Sequence, residues 1–591
     1  MLKGAGAAAA LLAAGGLSPA AARAAVTDAA GAGVFGFGVA SGDPTATSVL
    51  LWTRVTPDPS AVPGSGLGRP TTVHWEVAAD DGFGRVLQRG TVRTDPGRDH
   101  TVKVVVDGLA PYTRYSYRFR AQGQSSPVGR TQTSPDEPGT THALRLAFVS
   151  CSNYTGGFFT AYRGLAARDD LDAVLHLGDY VYEYGNAEDR YGPAALAGTR
   201  DHQPAEETVS LADYRVRHAL YKTDPDLQAA HARHPWITIF DDHEITNDAY
   251  DTGAENHETA DDPDTSYTGP QEPPGTRAEG DFLARRADAF QAYLEWMPIR
   301  EPGALGAHPH RGTQFFRRFR FGDLAALSVL DTRQNRSRQL PATAGGAVNP
   351  TLADPARVLP EPEQLDWLVD GLTGSGTAWH LVGNQTVFTR VYAVPRTGVL
   401  PGQVFNTDQW DGYQDDQAQV LAAMAASGGT DPVVLTGDIH SSWANDLPTD
   451  PDGYRVDGRS SVGVEFVCPS ITSDGFTEVL GSAAAAQGAT AALQAANPWI
   501  RYLEGIGHGF AVVDVTPERV QTDFWFIRSG GDKGLAVDPR LDPAATVGYE
   551  VSFASVKGSR RVSGPVAQLG PRSDSPRTAD ARPGRGHGRG G

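Results

Sequence analysis

The pattern of apolar and polar positions changes near residue 140. Between residues 34 and 120, short β-type runs alternate with Gly, Pro and Asp, and no helical period is present. A segment rich in Ser, Pro, Asp, Gly and Thr follows at 131–143, and after it strand-length apolar runs alternate with helical segments. The first pattern is typical of an all-β sandwich and the second of a layered α/β domain. We therefore predict an α/β fold preceded by an all-β domain.

The all-β region is predicted to contain strands at 72–78, 85–93, 100–106 and 115–120. Its stretch from Leu109 to Tyr117 resembles the end of a fibronectin type III domain. In such a domain a tyrosine at the corner hydrogen-bonds back to the backbone, and Tyr115 is the candidate here. The region shows no catalytic cluster, so we assign it a structural role or a wall of the cleft.

Polar residues follow the apolar strands of the α/β region. Strands are predicted at 144–150, 171–177, 236–240, 324–330, 380–385 and 432–436, and helices at 156–168 and 284–296. The carboxyl ends of parallel strands share one edge of a sheet, where open α/β folds bind ligands. The residues at these ends are Cys151, Asp179 with Tyr182, Asp242, Asn384 with Gln385, and Asp438 with His440. One such end is an ordinary turn, but several in one domain indicate a shared metal cavity.

The residue types indicate the kind of metal. Carboxylate and phenolate oxygens, as in Asp179 and Tyr182, suit a hard cation such as ferric iron or calcium. Taken alone, this pair fits a turn aspartate and a packed tyrosine equally well. Asp242 and Asp438 also follow buried strands, where an unpaired charge is costly, so a cation partner is favoured for each.

Composition restricts the function further. The 591 residues carry a net charge of -19, which disfavours a nucleic-acid partner held by its phosphates. Residues 1–30, with Lys3, an Ala/Gly/Leu run and an Ala-Arg-Ala site ending at Ala24, match a secretory signal peptide. The run is too short for a membrane span, and the twin-arginine route would suit it although no Arg-Arg pair is present. We expect a secreted or cell-surface monomer.

Two segments are predicted to lie outside the packed core. The acidic insertion 248–264 is predicted to be a solvated loop, with a flap or a calcium-binding loop as alternatives. The tail 557–591 is rich in Gly, Arg, Pro and Ser and is predicted to be disordered.

Cys151 and Cys468 would usually form a disulfide in an exported protein. The position of Cys151 among the strand-end residues favours a metal ligand instead.

These blocks, in this order, resemble the metallophosphoesterases and specifically the PhoD-like alkaline phosphatases and phosphodiesterases. The chain carries Gly178-Asp179-Tyr-Val-Tyr182, Asp241-Asp242-His243-Glu244 and Gly437-Asp438-Ile-His440, and Ser150-Cys151 stands where most superfamily members have the first aspartate. Residues 38–44, 51–54 and 330–333 extend the resemblance, which spans about 34–530. It implies a metallophosphoesterase-type layered α/β sandwich over 139–556, after a fibronectin III-like domain at 31–138.

The resemblance also implies a cofactor and an activity. The cofactor is a ferric ion with one or two calcium ions beside it. The implied iron ligands are Cys151, Asp179, Tyr182 and His440, and the implied calcium ligands are the bridging Asp179 with Asp242, Asn247 and Asp438. The implied activity is hydrolysis of small phosphate mono- and diesters by a metal-bound hydroxide. Gln385 lies where many superfamily members place a histidine ligand, which leaves its role open.

Three further residues have candidate catalytic roles. His243 is interpreted either as a general acid for the leaving oxygen or as a group that orients Asp242. Arg333 is interpreted either as a fork for the substrate phosphate or as part of a structural ion pair. Asn153 is a candidate phosphate contact. Two other functions stay open: a phospholipase D acting on phospholipid head groups, and a secreted binding protein without catalysis.

Overall fold

A computed structural model describes residues 24–136, 143–186, 191–257, 279–344, 347–394, 402–572 and 574–579 of the chain. The first region contains α1 (Ala24–Gly31), β1 (Val39–Gly42), β2 (Val49–Arg54), β3 (Thr71–Ala78), β4 (Val86–Thr94), β5 (Thr101–Val106), β6 (Thr113–Ala121), β7 (Gln124–Ser125) and β8 (Gly129–Gln132).

The rest of the chain alternates strands with helices. Its strands are β9 (Leu144–Val149), β10 (Ala173–Leu177), β11 (Pro235–Ile239), β12 (Arg317–Phe321), β13 (Ala325–Val329), β14 (Thr343–Ala344), β15 (Ala347–Val348), β16 (Trp379–Asn384), β17 (Tyr392–Val394), β18 (Gln403–Val404), β19 (Asp431–Thr436), β20 (Ser442–Pro448), β21 (Ser461–Val467), β22 (Ile500–Glu504), β23 (Gly509–Val515), β24 (Arg519–Arg528), β25 (Thr546–Val556), β26 (Ser563–Val566) and β27 (Arg577–Thr578). Its helices are α2 (Thr160–Ala166), α3 (Leu211–Tyr221), α4 (Pro225–Arg233), α5 (Phe282–Trp296), α6 (Pro362–Gly374), α7 (Gln414–Ala425), α8 (Pro451–Asp457), α9 (Phe476–Leu480) and α10 (Ala483–Ala496).

Two large sheets pack face to face. The strand order is β26-β25-β24-β23-β9-β10-β11-β1-β2-β5 in the first and β12-β13-β16-β19-β21-β20-β22 in the second. Strands β9, β10 and β11 are parallel neighbours, and so are β13, β16, β19 and β21. A side chain at Gly383 on β16 would touch Leu175 and Leu177 on β10, so the two sheets are in direct contact.

Helices cover the outer faces of both sheets. Apolar residues of α2 to α5 join the core of the first sheet, and those of α6 and α7 pack on the second. Strands β10 and β16 are buried at every position because each has a packed layer on both faces. This helix–sheet–sheet–helix order confirms the predicted layered α/β fold.

Strands of the first region contribute to two different sheets. Strands β1, β2 and β5 continue the first large sheet, and β1 pairs with β11 in parallel at Ser41 and Gly42. Strands β3, β4 and β6 form a six-stranded sheet with β7, β8 and β27. Tyr115 forms the predicted corner, because its hydroxyl accepts the Ala110 N–H at 2.8 Å and donates to the Ala110 carbonyl at 3.3 Å.

The predicted disordered tail is wrong for residues 557–572 and 574–579. Strand β26 pairs with β25, and β27 pairs with β6. Arg572 donates to Asp172 at 2.6 Å and to Asp574 at 2.8 Å, and Arg560 donates to Asp431 at 3.0 Å. Composition indicated disorder because Gly, Pro and Ser are frequent, but these arginines have largely buried acidic partners. Residues 580–591 lie outside the described ranges.

The acidic insertion is packed rather than solvated over its described part, 248–257. Ala249 is 1% exposed and Ala254 is 6% exposed, and both belong to the main core. The Asp248 N–H donates to Asp242 Oδ2 at 2.7 Å, which ties the insertion to a predicted ligand. The remainder of the insertion, 258–264, lies outside the described residues.

The predicted signal peptide mostly precedes the described chain, since residues 1–23 lie outside it. Helix α1 begins at Ala24, and Val26 is 3% exposed within the main core. A leader that ended at Ala24 would leave most of this helix in place. Among the described residues, no helix combines the length and apolar character needed to cross a membrane.

Candidate metal centre

The loops after β9, β10 and β11 carry three of the predicted ligands, Cys151, Asp179 and Asp242. Because these strands are parallel neighbours, their carboxyl ends lie at one edge of the sheet. Gly178 has φ 103°, and a Cβ on it would lie 2.4 Å from the Cβ of Asp241. Glycine is therefore needed for the two acidic loops to approach this closely.

The loop after β19 reaches the same edge from the second sheet. A Cβ on Gly437 would lie 2.5 Å from Ser150 Oγ, so this glycine lets the loop touch the end of β9. Four predicted ligands have left-handed backbones: Cys151 (φ 62°), Asp179 (57°), Asp438 (64°) and His440 (55°). Such conformations are uncommon outside glycine and concentrate at functional sites.

A first ligand group consists of Cys151, Asp179 and His440, whose ligand atoms all lie within 4.8 Å of one another. The Tyr182 hydroxyl donates to Asp179 Oδ2 at 3.0 Å and lies 3.4 Å from His440 Nε2. His440 Nδ1 lies 2.6 Å from the Asp474 carbonyl, so Nδ1 carries the hydrogen and Nε2 the lone pair. Thiol, carboxylate, phenol and imidazole groups therefore lie together.

A second ligand group consists of Asp179, Asp242 and His243, whose ligand atoms also lie within 4.8 Å of one another. Asp179 thus belongs to both groups. Its Oδ1 is buried and has no hydrogen-bond partner in the part of the chain that the structure describes. An unpaired buried carboxylate oxygen is unfavourable, and a cation beside it would supply the missing partner. The residues present therefore fit a bound metal.

Burial and crowded acids determine the electrostatics of the site. Burial raises the pKa of the Cys151 thiol and of the Tyr182 phenol well above their ordinary values, and Asp179 adds to both shifts. Burial likewise raises the pKa of Asp179 well above its usual range, and Asp242 and Asp241 add to the shift. Each anion is disfavoured without a nearby cation, so a bound metal would favour the thiolate and phenolate forms.

Arg333 is buried among the acids, and its role as a fork for the substrate phosphate stays a prediction. It donates to Asp241 at 2.5 and 3.0 Å and to both oxygens of Asp408 at 3.0 Å. Its Nη2 also lies 3.6 Å from Asp242 Oδ2 and 3.5 Å from Asp438 Oδ1. The structure supports the ion-pair alternative, since these carboxylates occupy the guanidinium.

Asp438 lies outside both ligand groups. Its Oδ2 accepts a hydrogen bond from Gln409 at 3.1 Å. Burial raises the pKa of Asp438 to about 6, against the opposite effect of Arg333. The structure therefore brings Asp438 to the acidic end of the site, next to Arg333.

His243 is held by a buried acid to which the sequence assigned no role. Its Nδ1 lies 2.7 Å from Glu183 Oε2, and its backbone N–H donates to Asp242 Oδ1 at 2.9 Å. Although burial opposes a charge on the ring, Glu183 and Asp242 hold the pKa of His243 well above its usual value. The ring stacks on Tyr182 with centroids 4.1 Å apart. These contacts are compatible with both roles predicted for His243.

Glu244 is a second buried acid to which the sequence pattern assigned no role. It accepts the backbone N–H groups of Asp179 (3.0 Å), Tyr180 (2.7 Å) and Asp241 (2.9 Å). One buried carboxylate thus ties the Asp179 loop to the Asp241 loop. The available signal was its place in the polar run 241–244 after a buried strand, which gives no indication of which backbone groups it binds.

Three other predicted residues make structural contacts. Asn153 caps a short helical turn by accepting the Thr155 N–H at 3.1 Å, and its Nδ2 donates to the Tyr191 carbonyl. The Asn247 backbone N–H donates to Glu183 at 2.7 Å. Gln385 donates to the Leu330 carbonyl at 2.6 Å and accepts from Thr332 at 2.8 Å, so it joins strand ends. Phosphate contact by Asn153 and calcium ligation by Asn247 stay predictions.

Cys151 and Cys468 are both free, buried thiols, so the disulfide alternative is wrong. The Ser150 hydroxyl lies near both sulfurs, 3.1 Å from Cys151 Sγ and 3.6 Å from Cys468 Sγ. Cys151 is therefore available as a ligand.

Comparisons with known proteins identify relatives over most of the chain. A family model described as PhoD-like phosphatase matches residues 146–524, and one described as PhoD-like phosphatase, N-terminal domain, matches residues 20–135. Alkaline phosphatase D of Bacillus subtilis (strain 168) is 35% identical over 542 residues, covering 91% of this chain and 84% of that protein. A solved structure described as "Structure of PhoD" matches with a TM-score of 0.73 at 32% identity, covering 92% of this chain and 94% of that one.

These matches confirm the resemblance predicted from the sequence, and with it the class of enzyme, a phosphoric ester hydrolase. They also disfavour a binding protein without catalysis. The chain belongs to the PhoD-like phosphatase family.

Proposed function

We propose that this chain is an exported alkaline phosphatase and phosphodiesterase that uses ferric iron and calcium. The observation that carries the proposal is Asp179, which belongs to both ligand groups and has a buried oxygen that no described residue hydrogen-bonds. A carboxylate in this position suits a bridge between two cations.

The donor types favour different metals in the two groups. Cys151, Tyr182 and His440 would hold iron with Asp179, because thiolate and phenolate are strong donors to the trivalent ion. The calcium site would draw on oxygen donors, namely Asp242, Asn247 and Asp438 beside the shared Asp179. Asp438 would need to turn from Arg333 toward the ion, since the two lie 3.5 Å apart.

When bound, the metals would acidify a water nucleophile and provide positive charge for the phosphate oxygens. The protein's own groups hold the donors in position for that chemistry. The Asp474 carbonyl holds the His440 ring in the tautomer with a lone pair on Nε2. Glu244 joins the two acidic loops, and His243 stands beside both Asp179 and Asp242 as the candidate proton donor.

The cysteines offer a matched pair of variants for testing the iron site. Cys151→Ala should abolish a visible ligand-to-iron charge-transfer band and lower hydrolysis at least about 100-fold, because a direct ligand is lost. Cys468→Ala removes an equally buried thiol outside both ligand groups and should keep colour and activity. Metal analysis of the three proteins accompanies the spectra. A colourless, iron-free but active wild type would contradict the iron proposal.

Substrate class is tested on a panel of p-nitrophenyl phosphate, bis-p-nitrophenyl phosphate and phosphatidylcholine, each with calcium and with chelator. We expect hydrolysis of the two soluble esters at alkaline pH and its loss with chelator. Hydrolysis of phosphatidylcholine alone would favour the phospholipase D alternative.

Mass spectrometry of the protein recovered outside the cell tests export, with a mature N-terminus at Ala25 as the expected result.

A further inference from the structure

The loop between β21 and α9, residues 468–475, borders the predicted iron ligands. The backbone N–H groups of residues 472 and 473 both donate to the Cys151 carbonyl at 3.3 Å. The Asp474 carbonyl lies 2.6 Å from His440 Nδ1 and fixes the tautomer of that ring. One short loop therefore holds two ligands that come from separate parts of the chain.

The buried Ser473 hydroxyl brings a third predicted ligand, Tyr182, into contact with this loop. Ser473 is 0% exposed, and its Oγ lies 2.7 Å from the Tyr182 hydroxyl oxygen and 2.9 Å from the Cys151 carbonyl oxygen. A serine hydroxyl has one proton to donate. Because the Cys151 carbonyl already accepts two backbone N–H groups, the Tyr182 oxygen has the greater need of that proton.

The protonation of Tyr182 determines the direction of this hydrogen bond. The Tyr182 phenol donates to Asp179 Oδ2 at 3.0 Å, so its oxygen accepts from Ser473. A phenolate has no proton and can only accept, so Ser473 would still be the donor if Tyr182 bound a metal. Hydrogen bonds from neighbouring residues to ligand atoms orient the ligands and tune the metal.

Arg540 fixes the backbone on both sides of Ser473. Its Nη1 donates to the Thr472 carbonyl at 2.7 Å and to Asp474 Oδ1 at 2.8 Å, and the residue is 1% exposed. A buried guanidinium with two such acceptors restricts the loop to one position. The Ser473 hydroxyl is therefore placed by contacts that do not depend on Tyr182.

We propose that Ser473 is a positioning residue of the metal centre, which donates a hydrogen bond to the Tyr182 phenolate and limits the electron density that the phenolate gives to ferric iron. This inference rests on the proposed iron site. Without the Ser473 hydroxyl, the phenolate would be a stronger donor and would stabilise the trivalent ion further. The ligand-to-iron charge-transfer band should then move to longer wavelength, and the reduction potential of the iron should become more negative.

Ser473→Ala in the full chain tests the proposal by absorption spectroscopy and redox titration. We expect both shifts at an iron content close to that of the wild type, because the four ligand side chains remain. Ser473→Gly also lacks the hydroxyl and should shift both quantities in the same direction, whereas Ser473→Thr keeps a hydroxyl and should resemble the wild type. Resonance Raman scattering excited in the band identifies phenolate vibrations, which Tyr182→Phe should remove.

Ser470→Ala is the matched control for a merely structural effect. Ser470 lies in the same loop, is 0% exposed, and donates from Oγ to the Ser473 carbonyl at 2.7 Å. This variant should leave the band and the potential unchanged. An unshifted band in Ser473→Ala, or an equal shift in Ser470→Ala, would overturn the inference and leave the iron site standing. A wild-type protein that holds no iron would instead contradict the proposed metal centre, and the inference with it.

Discussion

Two buried acids at the metal centre illustrate how surroundings assign roles to chemically similar side chains. Glu244 accepts three backbone N–H groups, so its oxygens are occupied by the protein itself. Asp179 accepts a hydrogen bond from Tyr182 on Oδ2, and among the described parts of the chain its Oδ1 accepts none. A satisfied carboxylate holds loops together, whereas an unsatisfied one is suited to a cation.

The role of His243 can be decided by varying the leaving group. If His243 protonates the leaving oxygen, His243→Asn should slow the hydrolysis of esters with poor leaving groups by roughly 100-fold. Hydrolysis of p-nitrophenyl phosphate should slow much less, since p-nitrophenolate leaves without a proton. The measurement is kcat/KM across a series of aryl and alkyl phosphates. Glu183→Gln serves as control, because it keeps the ring and removes its charged partner. An equal loss across the series would favour the orienting role toward Asp242.

At the scale of elements, the centre depends on strands from both large sheets ending at one place. Strands β9, β10 and β11 bring Cys151, Asp179 and Asp242 from the first sheet, and β19 brings His440 from the second. The glycines at 178 and 437 remove the side chains that would keep these loops apart. The tail after β25 then joins separate parts of the chain.

Arg572 is the residue through which we expect the tail to contribute stability. It donates to Asp172 at 2.6 Å and to the Tyr112 hydroxyl at 2.7 Å, so it connects the α/β region with the first region. Arg572→Ala should lower the free energy of unfolding by about 2 kcal/mol, because a buried charged network is broken. Urea unfolding measures the change, with the exposed Arg577→Ala as the neutral control. Equal stability of the two variants would argue that the tail does not support the fold.

At the scale of the molecule, buried histidines predict sensitivity to acid. Burial lowers the pKa of His218, His234 and His380 to about 3 each. In the unfolded chain each takes up a proton near pH 6.5. Between about pH 6.5 and 3 the unfolded state therefore binds more protons, and the free energy of unfolding falls as pH decreases.

His380→Gln provides the test of this pH dependence. Glutamine retains a partner for the Ser328 hydroxyl, which lies 2.9 Å from His380 Nε2. The slope of unfolding free energy against pH below 6.5 should become shallower by up to about 1.4 kcal/mol per pH unit. Denaturant titrations with chelator separate this effect from metal loss, and the exposed His310→Gln should keep the wild-type slope. An unchanged slope in His380→Gln would show that this histidine titrates similarly in both states.

Local sequence patterns were enough to predict the strands and the chemistry at their ends. Runs at 171–177 and 236–240 form β10 and β11 to within two residues, because a run of buried apolar side chains is a local property. The Tyr115 corner was also predictable from the sequence, since its hydrogen-bond partner Ala110 lies only five residues away. Residue types in motifs then indicated which atoms suit a metal, and the structure brings Cys151, Asp179 and His440 together.

Which of those side chains already form ion pairs or hydrogen bonds within the protein depends on contacts between distant segments. The Arg333 guanidinium is occupied by Asp241 and Asp408, which are 92 and 75 positions away in the chain. Likewise, Arg572 is ordered by an aspartate 400 positions away, although its own segment has the composition of a disordered tail. A hydrogen bond or ion pair between distant segments depends on how the sheets pack, and no local pattern encodes it.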